Sequence, residues 1–160
     1  MTDDPWDAWT AYLVPVLSAL RDRESVLVAA PSSAARPHRR RKARLGGFLP
    51  ARHEPVAPWV RLVRDEDHLR GWCVGPESTG GSLPMGPGEQ EALLDLGWRR
   101  PGPADGEDLV RWWPDDVALA PYLPRADADA AAGTTAGTFR DVFGVSDPAD
   151  LLVVEPGDPP

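Results

Sequence analysis

The stretch "WVRLVRDEDHLRGWCVG", residues 59–75, contains two runs in which apolar and polar side chains alternate. The acidic turn Asp65-Glu66-Asp67 separates the two runs. Alternation with a period of two places successive side chains on opposite faces of a strand, and a short polar turn between two such runs is typical of a β-hairpin. The stretch therefore predicts two antiparallel strands.

The segments on either side of this hairpin predict two further strands and three helices. "SVLVAA", residues 25–30, and "DLVRWW", residues 108–113, are short apolar runs of the kind that form strands. Helices are predicted near the N-terminus, before residue 97 and in the alanine-rich stretch after residue 124. Because strands follow one another instead of alternating strictly with helices, we expect an α+β fold. The expected architecture is a mainly antiparallel sheet of about four strands, covered on one face by helices.

The helix before residue 97 carries its own stop signal, in "EALLDLGWRRPG", residues 91–102. If Leu96 is the last helical residue, Gly97 takes the left-handed conformation that only glycine adopts at little cost. Trp98 can then fold back on Leu93, which is the contact that accompanies a Schellman ending. We interpret Leu-Gly-Trp as a helix terminator.

Length and charge restrict the class of protein. The 160 residues predict one domain over residues 1–152 and a disordered tail over residues 153–160. A formal net charge of −8 disfavours a general polyanion binder, because phosphates would meet net repulsion. The start "MTDDPWDAW" has aspartates where a signal peptide needs positive charge, and no apolar run is long enough to span a bilayer. These features predict a cytoplasmic protein without a membrane partner.

One segment is strongly basic in spite of that overall charge. Residues 31–57 show no sustained period, and we expect a long, mobile loop that the core does not need. The loop can be merely solvated, can contact an acidic protein partner, or can bind nucleic acid through its arginines. Its basic run holds six of the seventeen basic side chains of the protein: Arg36, Arg39, Arg40, Arg41, Lys42 and Arg44.

The order of three phrases resembles a known family. These phrases are "LPMGPGEQEALLDLGWRRP", "LVRWWP" and "TFRDVFGVSDPADL", which together with the hairpin cover roughly residues 59–151. They resemble the actinobacterial peptide-binding chaperone-like domains related to type III secretion chaperones and YbjN, the TY-Chap group. The matching positions are Leu96, Gly97, Trp98, Phe139, Arg140, Val142, Phe143, Gly144, Val145, Pro148 and Leu151. The resemblance implies a type III secretion chaperone-like fold that captures a peptide or partner protein without catalysis, and it leaves a homodimer open.

The residues that could carry chemistry support no enzymatic function. No pair of the three histidines has the spacing of a metal motif, and the acidic clusters lack the spacing of a calcium loop. Cys73 is the single cysteine, and nothing near it in sequence supplies a base. We predict no catalytic residue, no metal site and no cofactor.

A Trp/Arg pairing two residues apart recurs on three predicted strands. Alternation places the two members of each pair on one face. A core face rarely holds three arginines, so we assign this face outward, or beneath a loop, and the faces of Leu62, Cys73 and Trp112 inward. Trp and Arg are enriched at binding hot spots, whereas the alternative is that the arginines merely stack on the tryptophans within the sheet. The predicted partner-binding residues are Trp59, Arg61, Arg70, Trp72, Arg111 and Trp113.

Overall fold

A five-stranded antiparallel sheet carries the fold, and α-helices cover one of its faces. The computed structural model of the chain describes residues 4–39, 53–115 and 121–156. In sequence order the strands of this sheet are β1 (Ser25–Ala29), β4 (Trp59–Asp65), β5 (His68–Cys73), β6 (Leu109–Trp113) and β7 (Leu152–Val154). Their order in space is β6-β5-β4-β1-β7, and every pairing is antiparallel. The α+β prediction is confirmed, with one strand more than expected.

The additional strand corrects the boundary of the predicted tail. Residues 152–154 form β7, which pairs with β1 through Leu27 opposite Val154 and Ala29 opposite Leu152. The tail predicted to begin at residue 153 can therefore begin only after Val154. Residues 157–160 lie outside the described residues.

The predicted long loop also contains regular structure. Strands β2 (Arg36–Arg39) and β3 (His53–Val56) pair antiparallel in a separate two-stranded sheet. Residues 40–52 of the loop lie outside the described residues. The mobility expected for them therefore stays a prediction. The loop prediction is thus wrong at its two ends, where a polar and proline-containing sequence nevertheless pairs as strands.

Three α-helices lie within the described ranges: α1 (Pro5–Ser18), α2 (Pro87–Asp95) and α3 (Pro124–Gly137), which continues as a π-helical turn at Thr138–Val142. Asp4 caps the start of α1, where its carboxylate accepts from the Trp6 amide at 3.0 Å. The alanine-rich helix α3 buries only small side chains, among them Ala128, Ala131 and Ala132. Because the methyl side chains of alanine are short, α3 packs closely against α1 on one side and against the strands β5 and β6 on the other.

Helix α2 ends in the predicted Schellman motif. Gly97 has φ of +91°, and its amide donates to the Leu94 carbonyl at 2.9 Å. The Trp98 amide donates to the Leu93 carbonyl at 3.1 Å, and both of these side chains are buried. A Cβ at Gly97 would lie 2.5 Å from Nη1 of Arg111. The backbone angle therefore favours glycine, and a larger residue would also displace the guanidinium that packs on the turn.

We predict that Gly97→Val lowers the free energy of unfolding by about 2 kcal/mol or more, because a β-branched residue is strained at positive φ and also displaces Arg111. Urea denaturation measures this loss. Gly106→Val is the matched control, since Gly106 has φ of +79° and a Cβ added there would meet no atom within 4 Å. The control should lose only the backbone contribution, about 1–2 kcal/mol. Equal losses at the two positions would show that Arg111 does not pack on the turn.

Candidate functional site

The strand register divides the sheet residues into two faces. Arg61 lies opposite Trp72, Arg70 lies opposite Trp112, and Leu69 lies opposite Trp113. Residues directly opposite each other in antiparallel strands share a face. In the described ranges, helices cover the face of Leu69 and Trp113 and none covers the other, which we call the open face. By this register the open face consists of Ser25, Leu27, Ala29, Trp59, Arg61, Val63, Asp65, His68, Arg70, Trp72, Val110, Trp112, Leu152 and Val154.

The prediction that Arg111 and Trp113 share the surface of Trp72 is wrong. Trp113 is 2 % exposed and meets the ring of Trp98 edge-on, with the ring centroids 6.0 Å apart. Its indole occupies the space beside Gly71, where a Cβ would lie 2.8 Å from the ring. Trp112, which was assigned to the core, lies on the open face instead. The spacing of residues within a strand does not reveal how two strands align, and a shift of one residue exchanges the faces.

Arg111 lies on the helix-covered face because its guanidinium finds acceptors there. Nη1 donates to the Leu96 carbonyl and, at 2.9 Å, to the hydroxyl of Thr134. Nη2 lies 3.6 Å from a carboxylate oxygen of Asp115. A partly buried cation is tolerated when such partners replace much of its water. The argument that a core face excludes arginine therefore fails at this position.

On the open face, Arg70 holds two tryptophans together. Its guanidinium carbon lies 4.5 Å from the ring centroid of Trp72 and 5.4 Å from that of Trp112. Arg70 also forms an ion pair with Asp105, which comes from the connection between α2 and β6. Both indoles are half-buried and lie outside the hydrophobic core cluster. The cation–π stacking considered as an alternative is thus present at Arg70, whose guanidinium contacts both rings.

Comparisons with known proteins identify the family. The family model described as "T3SS (YopN, CesT) and YbjN peptide-binding chaperone 3", TY-Chap3, matches residues 1–157. The chain belongs to the TY-Chap3 family. The match extends the resemblance seen at residues 59–151 to α1 and β1. The comparisons with curated proteins and with solved structures gave no match.

Part of the predicted basic run of this TY-Chap3 chain forms contacts within the fold. Arg36 donates to the Pro84 carbonyl at 2.7 Å and to both carboxylate oxygens of Glu89, at 2.6 and 3.0 Å. Arg39 belongs to β2. The side chain of Arg39, and all of Arg40, Arg41, Lys42 and Arg44, lie outside the described residues. Nucleic-acid binding through this run stays a prediction that concerns those residues.

Glu89 connects the β2–β3 sheet to the start of α2. Besides binding Arg36, its carboxylate accepts from the Gly86 amide at 2.9 Å, which satisfies a free donor at the N-terminus of α2. The hydrogen bonds from Arg36 hold the pKa of Glu89 below its usual value, against the opposing effect of partial burial. Together Arg36 and Glu89 fix one end of the basic loop to the start of α2.

The chemistry available in the described ranges is limited. Burial raises the pKa of the Cys73 thiol well above its usual value, so it remains a protonated and poor nucleophile. The imidazole of His38 lies 3.5 Å from the Glu77 carboxylate, and that of His68 lies 3.7 Å from the Asp65 carboxylate. Across these ranges, no three side chains of the metal-binding types come together. No helix in the described part of the chain is long and apolar enough to cross a membrane.

The sequence pattern did not assign four residues to the open face or its edge, namely Trp112, Leu152, Val154 and Asp105. Trp112 and Trp113 were equal candidates for the open face, because adjacent residues on a strand point to opposite faces. The apolar residues Leu152 and Val154 had a usable signal, because "LLVV" between Pro148 and Pro156 is a short apolar run bounded by turn residues. No sequence signal pointed to Asp105, because its pairing with Arg70 depends on the path of the connection between α2 and β6.

We predict that Glu89→Gln lowers the free energy of unfolding at neutral pH by about 1 kcal/mol, because it weakens the helix cap and the pairing with Arg36. Since the pKa of Glu89 is depressed in the folded state, this stabilisation is complete above the unfolded value of about 4.3 and is lost as the pH falls through the folded value. Urea denaturation at several pH values measures the difference between wild type and variant. Exposed Glu91→Gln, on the same helix, is the control and should change little. A difference that stays constant down to the acid range would contradict this account.

Proposed function

We propose that this TY-Chap3 chain captures a peptide or a partner protein on the open face of its sheet, as a noncatalytic, cytoplasmic binding module. The family is one of peptide-binding chaperones, which suggests a non-enzymatic role. The observation that carries the proposal is the stack of Trp72, Arg70 and Trp112 on the face that the described helices leave uncovered.

The composition of the open face supports partner binding. Apart from Val110, which is buried, the apolar side chains of this surface are half-buried or exposed, and Leu152 at the edge of the sheet is 60 % exposed. The hydrophobic core has formed on the other face, from residues such as Val28, Leu62 and Trp113. Covering the open face with a partner would therefore remove additional apolar surface from water, the main favourable contribution to protein association.

The stack also lowers the cost of binding. Arg70 is held by Asp105 and by two aromatic rings, so the three side chains have little rotamer freedom left to lose when a partner docks. Trp and Arg are the residue types that most often dominate binding energies. We retain Trp59, Arg61, Arg70 and Trp72 as binding residues and add Trp112. Arg111 and Trp113 have structural roles.

We predict that Trp72→Ala and Trp112→Ala leave cooperative unfolding intact but reduce peptide capture by about thirtyfold or more, as expected for hot-spot residues. The measurement is enrichment of a phage-displayed library of random peptides on the immobilised protein, followed by affinities of the enriched peptides. Trp113→Ala is the matched control, adjacent in sequence but on the other face. It should lose about 3–5 kcal/mol of stability, because a buried indole leaves a large cavity.

Two outcomes would contradict the proposed function. In the first, enriched peptides bind Trp72→Ala and Trp112→Ala as tightly as they bind the wild type, so that capture occurs elsewhere. In the second, the library gives no enrichment on the wild-type protein.

A further inference from the structure

We infer that the open face selects segments that present a carboxylate among apolar side chains, and that Arg61 binds this carboxylate. The inference rests on the proposed function and specifies the class of partner. It is supported by the position of Arg61, by the absence of a counter-ion beside it among the described residues, and by the apolar surface around it.

Arg61 lies at the centre of the open face. It belongs to β4, the middle strand, and the register places it in a row that crosses the whole sheet. Its neighbours within the row are Leu27 on β1 and Trp72 on β5, and the row ends at Val154 and Val110. A partner laid across the strands along this row therefore passes over this guanidinium.

The charge of Arg61 is not neutralised by the described part of the chain. The side chain is exposed, and its only hydrogen bond there is a long one, 3.4 Å from Nη2 to the Ser25 hydroxyl. No carboxylate of the described residues lies within 4.0 Å of it, in contrast to Arg36, Arg70 and Arg111, which pair with Glu89, Asp105 and Asp115.

When a partner covers the open face, the guanidinium of Arg61 needs a replacement for the water that solvates it. In the free protein, water solvates the guanidinium. A partner that docks on Leu27 and Trp72 removes that water, and an unpaired charge left in an apolar contact is strongly unfavourable. A partner with a carboxylate at this point replaces the lost hydration with a charge-assisted hydrogen bond, and one without it is penalised. Arg61 thereby acts as a selectivity element.

A single carboxylate fits this face better than the phosphates of a nucleic acid. The tryptophans could also stack on bases of a single strand. However, such a strand brings one charge per nucleotide, whereas Arg61 is the one arginine of the open face that lacks a carboxylate partner in the described ranges. Asp105 at the edge of the face and the net charge of −8 would repel the remaining phosphates.

The test uses three pools of synthetic peptides of about seven residues, the length of extended chain that crosses five strands spaced roughly 4.8 Å apart. The pools share randomised apolar flanks and differ in one central residue, which is glutamate, glutamine or lysine. Binding of each fluorescent pool is titrated against the wild type, Arg61→Gln, Arg61→Glu and Trp72→Ala. Arg125→Glu, an exposed arginine of α3 on the helix side, is the matched control for charge reversal.

The wild type and Arg125→Glu should bind the glutamate pool about tenfold more tightly than the glutamine pool. Arg61→Gln should abolish this preference, and Arg61→Glu should favour the lysine pool. Equal binding of the glutamate and glutamine pools by the wild type, with binding still lost in Trp72→Ala, would overturn the inference and leave the proposed function standing.

Two further outcomes concern the open face as a whole. Failure of all three pools to bind in a Trp72-dependent manner would overturn both proposals. An oligothymidylate competitor that binds more tightly than the glutamate pool, and loses binding in Trp72→Ala, would assign the face to nucleic acid.

Discussion

The packing of the Trp113 indole beside Gly71 determines which side of β6 faces the core. A Cβ at position 71 would lie 2.8 Å from the Trp113 ring, so any larger residue would force the indole or the strand to shift. With Trp113 fixed inward, Trp98 meets it edge-on and donates from its own indole to the Thr138 hydroxyl at 2.9 Å. This contact joins the end of α2 to α3. The orientation of one strand therefore determines how two helices dock.

The same orientation produces the open face. If Trp113 points to the core, its neighbour Trp112 must point away, and the register brings it next to Arg70. Arg111 follows Trp113 inward, where acceptors from α2 and α3 compensate for its burial. One short sequence, Arg111-Trp112-Trp113, thus supplies a core residue, a buried polar connection and a surface tryptophan. Partner capture by this TY-Chap3 chain would depend on a face whose composition is set by core packing behind it.

The sequence predicts those features that depend on local interactions. The hairpin of β4 and β5, the strands β1 and β6 and the left-handed Gly97 all follow from alternation or from the conformational freedom of glycine. The features it could not predict depend on alignment between distant segments. Trp112 and Trp113 are equivalent until the register of β6 on β5 is known, and the apolar run of β7 does not show by itself that it pairs with the edge of β1. Arg111 was misplaced for a related reason, since its buried acceptors come from helices distant in sequence.

The central claim is that partners dock on the face of Trp72 and Trp112, opposite the core tryptophans. The most direct measurement is the indole N–H region of a nitrogen–proton correlation NMR spectrum, in which each of the seven tryptophans gives one signal, recorded with and without a peptide from the glutamate pool. The account predicts that the signals of Trp72 and Trp112 move, while those of Trp98 and Trp113 stay in place. Movement confined to Trp6 and Trp9 of α1, with Trp72 and Trp112 unchanged, would place the partner on the helix side and contradict the account.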